Sequence, residues 1–302
     1  MGSKNFVIAD VFTTKRFGGN QLAVFTDGSS LDTGTMQDIA REMNYSETTF
    51  LLPAESSGDY RLRIFTPARE LPFAGHPVVG SAYVVVSEGM KRGSGAETLV
   101  TFETGIGPIP VEVKAGDGLQ GEARMTQPLP VVKGMLDEPA RLAAALSLAS
   151  SDLNTPELPI EAIYNGITVL IVPVKSLAAV RKIKIDIGAL EQIAAQMGAE
   201  TVLAFTRETE SASSTVHCRV SAPAAGVIED AATGSANGPL GYYLVRHGLV
   251  EARPLTTIVS EQGYEMKRPS ILNIELDVEG TTVTAVRVGG GVVIAGRGEL
   301  NL

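Results

Sequence analysis

Three titratable side chains stand beside turns that lead into or out of predicted helices. Glu47 lies in Asn44-Tyr45-Ser46-Glu47-Thr48-Thr49, just after a predicted helix. A carboxylate at a half-buried loop has its pKa raised by desolvation and can act as a general base or acid. A solvated glutamate near the start of a strand is the alternative and the commoner fate of this residue type. His76 opens an apolar segment, beside Gly75 and before Pro77 at a plausible early helical position. There it would bond a substrate or share a proton with an acid, or else sit as a satisfied buried histidine. Two glycine-containing loops precede predicted helices, Phe73-Ala74-Gly75-His76-Pro77 and Glu229-Asp230-Ala231-Ala232-Thr233-Gly234-Ser235-Ala236. Free N–H groups at a helix N-terminus bind anions, and the helix dipole adds to the attraction. Two such ends aimed at one cleft would hold a carboxylate, with Gly75, Gly234 and Ser235 as candidates. Asp230 and Thr233 serve equally well as ordinary N-caps.

The elements that must position these residues come in two copies. Met36 to Gly89 can be laid over Leu190 to Gly248. Ile39-Ala40, Met43 and Glu47-Thr48 correspond to Ile193-Ala194, Met197 and Glu200-Thr201. The alternating run Arg61 to Phe65 answers Val216 to Val220, and Gly75 to Gly89 answers Gly234 to Gly248. Upstream, Asn20 to Phe25 resembles Asn165 to Val172. An internal repeat implies a repeated supersecondary unit. Each half reads as an apolar strand, an amphipathic helix, several strands of period two, and a second helix. The first helix, about residues 32–43, places Met36, Ile39, Ala40 and Met43 on one face. The second helix is apolar on most sides (Val78, Val79, Ala82, Tyr83, Val86; then Leu240, Tyr243, Leu244, Val245), so a sheet must wrap it. Gly89 and Gly248 fall where left-handed C-terminal caps are expected. The expected fold class is therefore α/β of the α+β type, two pseudo-symmetric lobes, each a curled, mostly antiparallel sheet around a central helix. Pro128, Pro130 and Gly134 place the boundary near Pro128 to Lys133. With the strand-like, Gly-rich final stretch expected to return to the first half's sheet, the expected lobes are 1–128 plus 284–302 and 129–283.

Composition narrows the function. The chain has 302 residues, 44% apolar and 20% charged, enough for two cores. A formal net charge of -9 argues against nucleic acid or an anionic membrane as partner. One cysteine, Cys218, rules out an internal disulfide, and with three histidines it makes no transition-metal site. No metal is expected, and the reducing cytoplasm suits the cysteine usage. Met1 to Asp10 lacks the apolar run of a signal peptide, and Phe6 stands where a myristoylation signal needs Ser or Thr. No apolar stretch is long enough for a membrane helix. Gly116-Asp117-Gly118-Leu119-Gln120-Gly121 formally matches a dinucleotide fingerprint, but an alternating strand-like run follows it instead of a helix.

At these loops the chain resembles the PhzF family of phenazine biosynthesis. The resemblance rests on DVFTTKRFGGNQLAVF, AREMNYSETTFLLP, RIFTPARELPFAGHPVVGSA, EDAATGSANGPLGYYL and EQGYEMKRPS, which run in family order from about residue 10 to residue 296. It implies a fold like that of diaminopimelate epimerase. It also implies a cofactor-independent isomerase, commonly a homodimer, acting on a small molecule. The catalytic residue implied is Glu47, with His76, Asp230 and Ser235 around the substrate; Ser46, Gly75, Thr233 and Gly234 of the same loops complete the candidate substrate-binding set. The founding activity isomerises trans-2,3-dihydro-3-hydroxyanthranilate. Related epimerases use two cysteines in the loops before the two buried helices; here those loops contain none, which argues against a two-thiol mechanism. Gln21-Leu22 departs from the family, whose Asn is often followed by Pro. An isomerase or epimerase of another small amino or hydroxy acid, or a non-catalytic binding protein on the same fold, are the alternatives; a complete Glu47, His76, Asp230 and Ser235 set disfavours the last.

Overall fold

A computed structural model describes residues 2–116, 119–155 and 157–302. Asp117 and Gly118 of the formal dinucleotide fingerprint, and Met1, lie outside the described residues. The chain divides into two compact units, residues 1–126 with 289–302, and residues 127–288.

The first unit contains β1 (Ser3–Val11), β2 (Asn20–Phe25), α1 (Thr33–Met43), β3 (Glu47–Pro53), β4 (Tyr60–Phe65), β5 (Glu70–Leu71), α2 (Gly75–Ser87), β6 (Thr98–Thr104), β7 (Gly107–Ala115) and β8 (Gln120–Gln127). Strand β1 pairs antiparallel with β2, β2 parallel with β3, β3 antiparallel with β4, β4 parallel with β6, and β6 to β8 run as an antiparallel meander. Helix α1 starts because the Asp32 carboxylate accepts from Thr35 N, and stops because Asn44 turns left-handed, its N–H returning to Ala40 O. Its buried face, Met36, Ile39 and Ala40, meets Phe25, Phe50 and Phe65 on one side of the sheet. On the other side lies α2, buried at every position from Gly75 to Val85. It touches β1, β2, β3, β6 and β7. Gly80 allows that approach, since a Cβ there would sit 2.6 Å from Leu22 Cδ2.

The second unit contains β9 (Val131–Met135), α3 (Pro139–Ala145), β10 (Glu161–Tyr164), β11 (Thr168–Pro173), α4 (Leu177–Lys182), α5 (Ile187–Gln196), β12 (Thr201–Thr206), β13 (Val216–Ala222), β14 (Val227–Asp230), α6 (Gly234–Arg246), β15 (Leu255–Gln262) and β16 (Ser270–Glu279). The pairing repeats that of the first unit. Strand β10 is antiparallel to β11, β11 parallel to β12, β12 antiparallel to β13, β13 parallel to β15, and β15 antiparallel to β16. Helices α3, α4 and α5 cover Leu170, Val172, Val202 and Ala204 on one face, while α6 lies against β11 and β16. The internal repeat is thus a repeat of topology: the same parallel and antiparallel choices recur in the same order. The final strand, β17 (Thr282–Asn301), begins in the second unit and ends in the first, where residues 292–301 pair with β1.

Candidate functional site

The handover from α1 to β3 decides where Glu47 points. After Asn44 ends the helix, Tyr45 and Ser46 link to β3, and Glu47 enters parallel register opposite Leu22. Ser46 is half-buried in that link. Alternate strand residues face the same side. Phe50 faces the α1 core, while Glu47 and Thr49 face α2, where Thr49 Oγ1 lies 2.9 Å from Ser81 Oγ. Glu47 meets α2 one turn and a half earlier, at His76. Two strand residues span about 6.7 Å and five helical residues about 7.5 Å, so both contacts are made without distortion. His76 Nε2 lies 3.3 Å from Glu47 Oε2, and the two side chains are 3% and 12% exposed.

On the other side of the ring, Asn20 Nδ2 lies 3.1 Å from His76 Nδ1. An amide N–H donating there selects the tautomer that carries its proton on Nε2, the ring atom 3.3 Å from the carboxylate, although that approach does not meet hydrogen-bond geometry. Burial pushes the His76 imidazole down to about 3, against a smaller opposing pull from a Gln21 backbone bond. The ring is therefore neutral at neutral pH, and Glu47 has an uncharged imidazole beside it. Gly75 is the first residue of α2, and no side chain caps that helix.

In the second unit Asp230, Thr233, Gly234 and Ser235 come together at the opening turn of α6. Thr233 stands at the N-cap position, yet its side chain makes no capping bond. Its hydroxyl donates instead to Asp230 Oδ2 at 2.6 Å. The ordinary N-cap role is thus filled by neither residue, and the turn keeps a buried carboxylate beside a helix N-terminus without side-chain caps.

Several polar residues escaped the sequence analysis. Pro239 lies inside α6 and has no N–H for the Ser235 carbonyl one turn back. Asn165 Nδ2 supplies the missing donor, 3.0 Å from Ser235 O, and also reaches Gln127 Oε1 at 2.8 Å. Gln127 Nε2 in turn donates to Gly234 O. Gly238 admits this network, because a Cβ there would collide with Gln127 Oε1. Gln262 and Ser270 also bond the segment before α6. The one usable signal was Pro239: a proline at an interior helical position asks what pairs with the freed carbonyl.

Cys218 is buried in β13 with its Sγ 3.3 Å from Ser260 Oγ. Burial pushes its thiol up to about 12, so it is neither a thiolate nor a nucleophile at neutral pH. Among the described residues no three His, Cys, Asp or Glu side chains gather as a metal set, and no helix is long and apolar enough to cross a membrane.

Residues 9–298 match the sequence profile of the phenazine biosynthesis-like protein family. The chain belongs to the PhzF family. It is 38% identical over 301 residues to a trans-2,3-dihydro-3-hydroxyanthranilate isomerase of Pseudomonas fluorescens, covering 99% of each chain. Its fold matches the crystal structure of the Bacillus anthracis phenazine biosynthesis protein of the PhzF family, with a TM-score of 0.89 at 28% identity over the whole of both chains. A hydroxyproline epimerase from Agrobacterium vitis shares the fold alone, with a TM-score of 0.68 at 15% identity, covering 99% of this chain and 94% of that one. The α/β architecture of this PhzF-family chain is therefore the one related to diaminopimelate epimerase, and the protein is an enzyme of the isomerase type.

Proposed function

We propose that this PhzF-family isomerase moves a proton on trans-2,3-dihydro-3-hydroxyanthranilate or a closely similar cyclic amino acid, with Glu47 as the general acid and base. The observation that carries the reading is the Glu47–His76 pair, a nearly buried carboxylate 3.3 Å from a neutral imidazole. Such a carboxylate, ionised at the start, takes the proton from the ring carbon that bears the hydroxyl. The electron pair of that C–H bond enters the conjugated system. The Glu47 carboxylic acid exchanges its proton with solvent and then delivers a proton to another carbon of that system, so one proton leaves the substrate, one is added, and none is gained or lost overall. The resulting enol rearranges to a ketone. His76, with a proton on Nε2, steadies the carboxylate before abstraction and moves no proton of its own.

Ser46, Gly75, His76, Asp230, Thr233, Gly234 and Ser235 are proposed to bind and orient the substrate. Backbone N–H groups at uncapped helix N-termini suit its carboxylate and the negative charge that develops during transfer. Asp230 suits its amine or hydroxyl. The absence of any cysteine at the opening turns of α2 and α6 supports a one-carboxylate mechanism over a two-thiol one.

The test is turnover. Purified protein is incubated with trans-2,3-dihydro-3-hydroxyanthranilate and followed by absorbance and proton NMR. Conversion to the ketone isomer is expected. An unchanged substrate, with conversion of a different small amino or hydroxy acid, would overturn the substrate assignment.

A further inference from the structure

Gln262 ends β15 with no exposed surface, and both polar atoms of its side chain face the segment that leads into α6. Its Oε1 accepts from Thr233 N at 3.2 Å. Its Nε2 donates to Asp230 O at 2.8 Å and to Thr233 Oγ1 at 3.1 Å. A threonine hydroxyl has one proton to give. Here a lone pair of that hydroxyl is engaged by Gln262, and its proton goes to Asp230 Oδ2 at 2.6 Å. The direction of the chain is fixed: amide N–H to hydroxyl, hydroxyl to carboxylate. We propose that Gln262 is a positioning residue which, through Thr233, holds Asp230 as an oriented, ionised carboxylate for the amine or hydroxyl group of the substrate. The proposal rests on the reading of Asp230 as a substrate ligand.

The surroundings support a fixed geometry. Ser270 Oγ donates to Ala231 O at 2.9 Å, so the same segment is held from β16 as well. Gly263 has a φ of +78°, and a Cβ there would collide with the carbonyl oxygens of Ala231 and Arg268. The chain can therefore turn away directly after Gln262 only because residue 263 is glycine. On the opposite face of β15, Glu261 accepts from Ser211 N at 3.2 Å and lies 2.9 Å from His217 Nδ1. Position 262 is thus anchored from both sides of its strand.

A purely structural role would need only the two bonds to the backbone, Gln262 Oε1 with Thr233 N and Nε2 with Asp230 O. The bond to the hydroxyl is what couples Gln262 to the charge on Asp230. Thr233→Val deletes that link and leaves both backbone bonds available, while Gln262→Met deletes all three. A hydrogen bond to an ionised carboxylate lowers its pKa, so its loss raises the titration midpoint.

The experiment follows the Asp230 carboxyl by 13C NMR across pH in the wild type, T233V, T233S and Q262M, alongside kcat and KM. The midpoint is expected to rise in T233V and Q262M and to return in T233S. KM is expected to rise about tenfold to a hundredfold in T233V and Q262M, the range for one hydrogen bond to a charged group. An unchanged Asp230 midpoint in T233V would overturn the relay even if Q262M fails to fold. A shifted midpoint with unchanged KM would overturn its role in substrate binding. The titration needs no substrate, so a wild type that fails to turn over trans-2,3-dihydro-3-hydroxyanthranilate would defeat the proposed reaction and still leave the relay measurable.

Discussion

The opening turns of α2 and α6 are built on the same topology and carry different chemistry. Gly75 and Gly234 each begin a buried helix without a side-chain cap. His76 and Ser235 follow them. An upstream asparagine reaches each turn, Asn20 at the start of β2 in one unit and Asn165 in the bend between β10 and β11 in the other. Asn20 bonds a ring that can titrate, whereas Asn165 bonds the Ser235 carbonyl that Pro239 leaves without a partner. The two glutamates that match in the repeat diverge in the same way. Glu47 faces His76, while Glu200 accepts from Thr168 N at 2.6 Å and so holds backbone. A duplicated scaffold keeps a polar group at each position and changes what that group holds. One copy presents the carboxylate proposed to carry the proton, and the other fixes a segment.

The glutamates give the sharpest way to break this comparison. Glu47→Gln is expected to lower kcat by about 10²–10⁴-fold, the usual worth of general acid–base catalysis. Glu200→Gln is expected to leave kcat within about twofold and to cost about 1.5–3 kcal/mol of stability, the value of a hydrogen bond to a charged group. Steady-state kinetics and urea unfolding of both variants decide the matter. Equal losses of kcat would mean that the two copies share the chemistry.

The asparagines come next in size. Asn165→Ala strands the Ser235 carbonyl and Gln127 Oε1 in a buried place, at about 1–3 kcal/mol for each unsatisfied group. Asn20→Ala is expected to affect kcat more than unfolding, because it releases the ring that faces Glu47. The reverse order of effects would contradict the division of labour.

Much of this scaffold was legible beforehand. The α/β class, the repeat and the burial of both central helices followed from apolar residues placed almost all round Val78 to Val86 and Leu240 to Val245. The span of α1 was legible too, from the apolar face Met36, Ile39, Ala40 and Met43, while its cap Asp32 and its stop at Asn44 were not. The polar supports were not. Asn20, Asn165, Gln127 and Gln262 bond groups far along the chain, and no local spacing marks a residue whose partner lies 29 to 107 positions away. The Asp230–Thr233 pair was legible only as a choice between N-caps and ligands. The hydrogen-bond direction that removes the N-cap option depends on Gln262, which comes from another strand.

The smallest effects concern pH, and they separate the units by sign. Burial holds the folded His76 pKa near about 3, below the ordinary value of about 6.5. The unfolded chain then binds a proton that the folded chain refuses. Stability should fall as pH drops from about 6.5 toward about 3, and His76→Asn should flatten that slope. His217 behaves oppositely. Burial works against its charge, but its bonds to Glu265 and Glu261 outweigh burial and raise its pKa above the ordinary value. Its contribution is full below about 6.5 and is lost as pH rises through the raised folded value. His217→Gln should remove that loss on the alkaline side. Thermal melts across pH for the wild type and both variants measure the two slopes, and slopes of the same sign would contradict the contrast.

The most direct test of Glu47 as the proton carrier is solvent deuterium incorporation, read by NMR in heavy water for the wild type and Glu47→Gln, with substrate affinity measured in parallel. The expected result is deuterium at the protonated carbon for the wild type, none for the variant, and binding preserved in both. Incorporation retained by Glu47→Gln would contradict the assignment and move the proton transfer to another residue.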